Sequence, residues 1–374
     1  MIPVNEFSLV GNEAKYLKEC VDSGWISSEG PFVRRFEEEF ASFVGVKYGI
    51  AVCNGTAALE TALFALGIKA GDEVIMPSFT IISCAIACIR LGAKPVLVDI
   101  EPDNCTIDVN QIEGRITPKT KAIMPVHIYG HPVDMDKVFE LAEKYKLKII
   151  ADFAEAQGAQ YYSNKKRKWM QCGAMSDVSA TSFYANKIIT TGEGGMVVTD
   201  NPEYAGKSRA YRNLCFGIDE RFSHDELGYN FRMTNLQAAI GVARLEQVDK
   251  FIKIKRKLAE HYKTRLAEIK QIRFLTEKSY AKSVYWVYAI ELKPEFGVDA
   301  KELMVRLRKY GVETRPFFKG MHTQPVFVKS GLFRGEKYPN TDFAYKYGLY
   351  LPSGLALTEN QIDKVVEALR EALK

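Results

Sequence analysis

Between residues 48 and 152 the chain repeats one unit, a short apolar run followed by a segment with helical spacing. Apolar runs occupy residues 48–53, 73–76, 94–100, 122–126 and 147–151, and helical patterns cover 57–66, 78–91 and 134–145. Strands alternating with helices at these lengths predict a largely parallel sheet with helices on both faces. Ligands of such sheets bind beyond the carboxyl ends of the strands. Asn54-Gly55-Thr56, Pro77-Ser78, His127-Ile128-Tyr129-Gly130 and Asp152-Phe153-Ala154-Glu155 each follow a strand end. The topology therefore predicts that these segments converge.

Residues 177–200, DVSATSFYANKIITTGEGGMVVTD, add a further strand end. The stretch reads as strand, turn and strand, and the turn carries Ser182, Asn186 and Lys187. Three glycines among residues 192–195 let the backbone take positive φ and approach something bulky. Lys187 is flanked by Asn186, Ile188 and Ile189 rather than by other charges. Such a lysine is either a surface residue at a strand end or a desolvated, nucleophilic amine. Two other features have the same double reading. Gly55-Thr56 at the start of a helix is a phosphate cradle or an ordinary cap. Asp152 closes a buried strand, and is either a helix cap or a carboxylate holding a proton on a heterocyclic nitrogen.

At 374 residues the chain exceeds a single core, and two domains are expected, 1–245 and a smaller 246–374. Hydrophobic content of 47% and charged content of 26% are those of a globular protein. A net charge of +5 favours anionic small ligands, and no nucleic-acid partner is expected. The basic run Lys165-Lys166-Arg167-Lys168 reads as a solvated hairpin tip. Seven cysteines without a CxxC pair read as small core residues in a reducing compartment. Residues 1–12 lack a basic start and an apolar run, and charges break the longest apolar windows. The expectation is a cytoplasmic protein without a membrane partner.

The remainder is read more coarsely. Residues 1–32 read as a loop displaying Trp25, Ser27 and Ser28, with Trp25 either meeting a ligand or packing the loop down. Residues 32–44 are helical, and 236–263 form one long helical pattern. Beyond it, strands are expected at 272–275, 284–292 and 312–315, and helices at 300–310 and 359–373. That describes a small α/β domain with antiparallel character.

Taken in order, CNGTAAL, PVHIYGH, DFAEAQG, SFYANKIITTGEGG and GYNFRMTN resemble the sugar-nucleotide aminotransferases of the DegT/DnrJ/EryC1/StrS family. These are fold-type-I enzymes that use pyridoxal 5′-phosphate (PLP), with a mostly parallel seven-stranded-type sheet and a smaller C-terminal α/β domain. The likeness covers nearly the whole chain. It implies that Lys187 binds PLP covalently and serves as acid and base, while Asp152 pairs with the pyridinium nitrogen. Glu155 takes the place of a Gln or Glu near the ring hydroxyl. Backbone N–H groups of Gly55 and Thr56 and the Ser182 hydroxyl hold the phosphate. Asn230 reaches that phosphate from the partner subunit, which implies a homodimer with shared sites. At Ile81 the family usually has an aromatic residue stacked on the cofactor; an aliphatic side chain covers the ring by dispersion instead.

The implied reaction moves an amino group from L-glutamate through the pyridoxamine phosphate form to C4 of a nucleotide-linked 4-keto-6-deoxy sugar. NKIITTGEGGM, HDELGYNFRMTN and ETRPFFKGMHTQP carry a closer likeness to the branch whose acceptor is GDP-4-keto-6-deoxymannose. The competing acceptor is dTDP-4-keto-6-deoxyglucose. Substrate contacts are expected from Trp25, Ser27, Ser28, Tyr129, His224, Arg315, Phe317, Phe318 and His322. Arg315 has an alternative partner in Glu313, and Phe318 an alternative place in the small-domain core. Two rivals remain at this level. A sugar dehydratase of the same fold would carry histidine at the position of Lys187, and a non-catalytic PLP or sugar-nucleotide sensor would not turn over.

Overall fold

The apolar runs pair into one central sheet because each is too short and too hydrophobic to leave either face in water. The computed structural model describes residues 1–217, 222–224 and 226–374. In chain order the strands are β1 (Tyr48–Val52), β2 (Glu73–Pro77), β3 (Lys94–Val98), β4 (Thr120–Ile123) and β5 (Lys148–Asp152). A hairpin of β6 (Gln160–Ser163) and β7 (Lys168–Gln171) follows, then β8 (Val178–Ser182) and β9 (Gly195–Thr199). The seven-stranded sheet has the order β1-β9-β8-β5-β4-β2-β3. Neighbours from β8 to β3 run parallel, whereas β9 is antiparallel to both β1 and β8. Every residue of β2 and β9 is buried, as helices on both faces require.

That one reversed strand shapes the sheet's carboxyl edge. Gly195, the first residue of β9, pairs with Val52 at the end of β1 and with Ser182 at the end of β8. Asp152 pairs with Ala180 on the next strand. The carboxyl ends of β1, β8 and β5 thus lie within three strand spacings. The helix Gly55–Ala65 leaves this edge with Asn54 as its cap, the side chain accepting from the Ala57 N–H at 2.8 Å. Its small residues, Ala57, Ala58 and Ala62, are buried, so the helix lies close against the sheet.

A second sheet, antiparallel with the order β10-β12-β14-β13, lies in the C-terminal part. Its strands are β10 (Ile272–Phe274), β12 (Tyr288–Leu292), β13 (Arg315–Pro316) and β14 (Gly348–Leu351). The short strand β11 (Ala281–Lys282) instead extends the β6–β7 hairpin into a third sheet. Helices Val248–Leu266, Ala300–Lys309 and Glu359–Ala372 build a separate core on the second sheet around Tyr262, Ile290, Leu303 and Leu369. Trp286 and Phe317, although from this part, belong to the larger core.

Several elements differ from the sequence reading. Residues 1–32 are not one loop, because Glu13–Ser23 is a helix that buries Tyr16 and Cys20. Two inward apolar residues in a polar stretch give little periodic signal. The long helical pattern at 236–263 is two helices, Asn235–Leu245 and Val248–Leu266. At the break, Glu246 accepts from Tyr16 Oη at 2.6 Å and Asn12 Nδ2 at 2.7 Å, tying the N-terminal helix to this corner. The expected strand at 284–292 pairs only as β12, since Tyr285 has φ +47°. The one at 312–315 reduces to a two-residue β13, and Val312 bridges Ile2. The seven cysteines are all unbridged. Among the described residues no helix is long and apolar enough to cross a membrane.

Two buried histidines below the sheet edge are held neutral by their partners. His127 Nδ1 accepts the Val133 N–H at 3.1 Å, and His131 uses Nδ1 toward the Pro132 carbonyl at 2.8 Å while Nε2 accepts the Lys278 N–H at 3.1 Å. Protonating the accepting nitrogen would break a hydrogen bond in each ring. Burial lowers the pKa to about 3 for His127 and about 4 for His131. Between pH 6.5 and 4 the unfolded chain binds protons that the folded chain does not. Stability from these groups is therefore complete above pH 6.5 and is lost as the pH falls. At pH 5 the loss is about 2 kcal/mol for each histidine. Thermal midpoints measured from pH 7 to pH 5 should fall steeply in the parent protein and less in His131→Gln; equal slopes would show that His131 is not the cause.

Candidate active site

The carboxyl ends of β1, β5 and β8 open into a cavity of about 330 Å³. Lys187 lines it from the turn between β8 and β9, with its side chain only 10% exposed. The turn is tied down on every side. The Lys187 N–H donates to the Tyr184 carbonyl at 2.9 Å, and the Ile189 N–H donates to Gln157 Oε1 at 2.8 Å. Gln157 Nε2 reaches back to the Ser182 carbonyl at 2.9 Å. Arg244 Nη2 donates to the Ile188 carbonyl at 3.2 Å, and the Trp286 indole N–H to the Asn186 carbonyl at 2.8 Å. The glycines serve this packing in two ways. Gly192 adopts φ +81°, and a Cβ on Gly195 would lie 2.4 Å from the Asn54 carbonyl oxygen.

The Lys187 amine sits 3.6 Å from Glu155 Oε1 and 3.8 Å from the centre of the Trp286 ring. Burial lowers its pKa, and attraction to Glu155 and Asp152 works against that shift. Both carboxyls are raised, again chiefly by burial and opposed by the lysine. All three groups are thus drawn toward neutrality, the condition in which protons move easily. Each carboxylate is oriented. Glu155 Oε2 accepts the Tyr129 N–H at 2.8 Å, which the left-handed backbone of Tyr129 (φ +52°) presents. Asp152 accepts the Ala154 N–H at 2.9 Å and the Cys84 thiol at 3.3 Å.

At the helix start the N–H groups of Gly55 and Thr56 have no carbonyl one turn earlier to bond. The Thr56 hydroxyl shares a 2.8 Å hydrogen bond with Ser83, and Ser182 Oγ accepts the Tyr184 N–H at 3.2 Å. A Cβ on Gly55 would come 2.7 Å from the Ser182 Cβ, so glycine permits helix start and strand end to close on one spot. This end of the cavity offers N–H groups, hydroxyls and a helix dipole to an anion.

Of the residues singled out from sequence, Gly55, Thr56, Ile81, Asp152, Glu155, Ser182, Lys187 and Phe318 line this cavity. Ile81 is 43% exposed on its wall. The others lie elsewhere in this chain. Tyr129 contributes its backbone N–H, while its ring packs under Phe317 and Phe318. Phe317 is core rather than wall, filling the space that Gly348 leaves by lacking a Cβ. His322 is buried and pairs with Asp342 at 3.1 Å, and Arg315 pairs with Glu313 at 2.8 Å. His224 meets the Leu214 carbonyl at 2.7 Å. Ser27 and Ser28 border a separate groove with Arg232, and Trp25 is half exposed nearby in sequence. Asn230 is exposed and does not line the cavity. Sequence reasoning missed Trp286, Gln157 and Cys84. Gln157 stands within DFAEAQG, two residues beyond Glu155, and its polar side chain amid apolar neighbours was the available signal.

A family model for the DegT/DnrJ/EryC1/StrS aminotransferase family matches residues 8–370. The chain is 41% identical to the GDP-perosamine synthase of Vibrio cholerae, over 99% of this chain and 98% of that protein. Among solved structures it resembles DesI in the presence of its TDP-sugar product, with a TM-score of 0.87 and 30% identity, covering 100% of this chain and 92% of that one. It also resembles Bacillus subtilis NtdA with bound cofactor PMP, with a TM-score of 0.86 and 30% identity, covering 97% and 81%. The cavity fits such a cofactor. It offers an anion cradle at Gly55, Thr56 and Ser182, a buried carboxylate suited to a ring nitrogen, and an amine for an aldehyde. The chain belongs to the DegT/DnrJ/EryC1/StrS aminotransferase family and is a PLP-dependent sugar aminotransferase.

Proposed function

We propose that the chain transfers the amino group of L-glutamate to C4 of GDP-4-keto-6-deoxymannose, forming GDP-perosamine. The observation that carries this reading is the full-length likeness to GDP-perosamine synthase. Lys187 at the cofactor position favours transamination over the dehydratase reading, where a histidine would stand.

In this reading Gly55, Thr56 and Ser182 hold the cofactor phosphate, Asp152 holds a proton on the pyridine nitrogen, and Glu155 lies beside the amine. Bound PLP supplies an electron sink and carries the amino group from donor to acceptor. Lys187 does the proton work. Its lowered pKa leaves a neutral fraction to act as base, and the neighbouring Glu155 supports the ammonium that returns the proton at sugar C4. Ile81, Trp286 and Phe318 wall the cavity with apolar surface and keep bulk water from the reacting atoms. Asp152→Asn should retain the cofactor yet lose ~10²-fold or more in kcat, because the ring nitrogen loses its anionic partner. An unchanged kcat would reduce Asp152 to the turn cap that its Ala154 hydrogen bond also describes.

The active form in this reading is a homodimer. Asn230 is exposed outside its own cavity and follows exposed Leu227 and Tyr229, which supports its serving a partner's phosphate site. Ser27, Ser28 and Trp25, also outside the cavity, would meet substrate from the same side. Chains of Lys187→Ala and of Asn230→Ala should each be inactive alone. Mixed dimers should recover activity, since one of their two sites is intact at both positions. Inactivity in demonstrably mixed dimers would count against a shared site.

The competing acceptor is a dTDP-linked 4-keto sugar, which the same cofactor machinery would serve. Presented with both acceptors at equal concentration, the enzyme should show the higher kcat/KM for the GDP sugar. A clear preference for the dTDP sugar would overturn the acceptor assignment and leave the aminotransferase chemistry intact.

A further inference from the structure

Trp286 occupies an unusual place. It lies two residues before β12 of the second sheet, yet the residue is buried against the first sheet's active edge, only 4% exposed. Four contacts hold it. Its backbone N–H donates to the Tyr129 carbonyl at 3.2 Å, and its carbonyl accepts from the buried Lys255 amine at 2.8 Å. Its indole N–H donates to the Asn186 carbonyl at 2.8 Å, and its ring lies nearly parallel to that of Tyr129. With ring and backbone so fixed, the indole face meets the Lys187 amine at 3.8 Å from the ring centre. Tryptophan presents the most negative ring face of the aromatic side chains, and the contact strengthens when water is absent.

We propose that Trp286 is a positioning residue for Lys187: its indole face stabilises the ammonium form of the lysine, aimed toward Glu155, when the amine is free of cofactor. The proposal rests on Lys187 being the cofactor lysine and on nothing about the sugar acceptor. It also explains how one amine alternates between two proton states. Burial disfavours the ammonium, whereas Glu155, Asp152 and the indole face favour it. The second sheet thereby takes part in setting the lysine's basicity, through the segment leading into β12 that carries Trp286.

Covalent capture of PLP by the cofactor-free protein reads this balance directly. Only the unprotonated amine attacks the aldehyde carbon, and the aldehyde oxygen leaves as water. The capture rate, followed by absorbance against pH, therefore reports the protonation of Lys187 without any turnover. Ring electrostatics can be changed at constant shape by incorporating mono- and difluorinated tryptophan biosynthetically. The expected result is a stepwise fall in the pH of half-maximal capture, amounting to roughly a threefold faster capture on the acidic limb. The chain has three tryptophans, so the same series is run in Trp286→Phe, where fluorination should have no further effect. Equal midpoints for native and fluorinated protein, or an equal shift in the Trp286→Phe background, would overturn the proposal. Absence of any capture that depends on Lys187, tested with Lys187→Ala, would instead overturn the cofactor assignment beneath it.

Discussion

A single buried amine facing two buried carboxylates is the constraint around which this structure is arranged. Lys187, Glu155 and Asp152 share a site from which water is largely removed. Charges there are expensive unless paired and hydrogen-bonded. The protein supplies one or two donors to each carboxylate, from Tyr129, Ala154 and Cys84, and leaves the groups otherwise facing the cavity. Such a cluster is incomplete without a polar ligand. It is also poised, because burial pushes each group toward its neutral form while the opposite charges resist that shift.

Keeping that cluster in place needs an immobile backbone, and the reversed strand β9 supplies it. Entering antiparallel between β1 and β8, it returns the chain directly from the Lys187 turn into the sheet. The twelve-residue turn, 183–194, is held by Gln157, Arg244 and Trp286. Arg244 is itself buried, with Glu13 of the N-terminal helix 3.7 Å away. The first helix of the chain and the segment before β12 that carries Trp286 therefore bear on the same few backbone atoms.

The two cores divide the work. The larger one places strand ends, helix starts and carboxylates; the smaller one carries the second sheet and its three covering helices. Side chains that cross between them, Trp286, Phe317 and Phe318, line or support the cavity wall. That apolar wall excludes water from the cavity.

What the residues alone determined were the features written in contiguous chemistry. Alternating apolar runs and helical spacing specify the parallel sheet, because strand burial and crossover length leave few other solutions. Gly55-Thr56, Asp152 and Lys187 were legible for the same reason, each following a strand end whose direction the topology dictates. Tertiary structure decided the rest. Trp286 meets Lys187 across 99 residues of sequence, and no periodicity or motif encodes a contact between a segment leading into one sheet and a turn of another. Arg315, Phe317 and His322 share one motif with Phe318, yet only Phe318 lines the cavity. Their neighbours, Glu313, Gly348 and Asp342, claimed the other three first. A side chain's destination depends on which partner packing brings within a few ångström, and that is settled only once both sheets have closed.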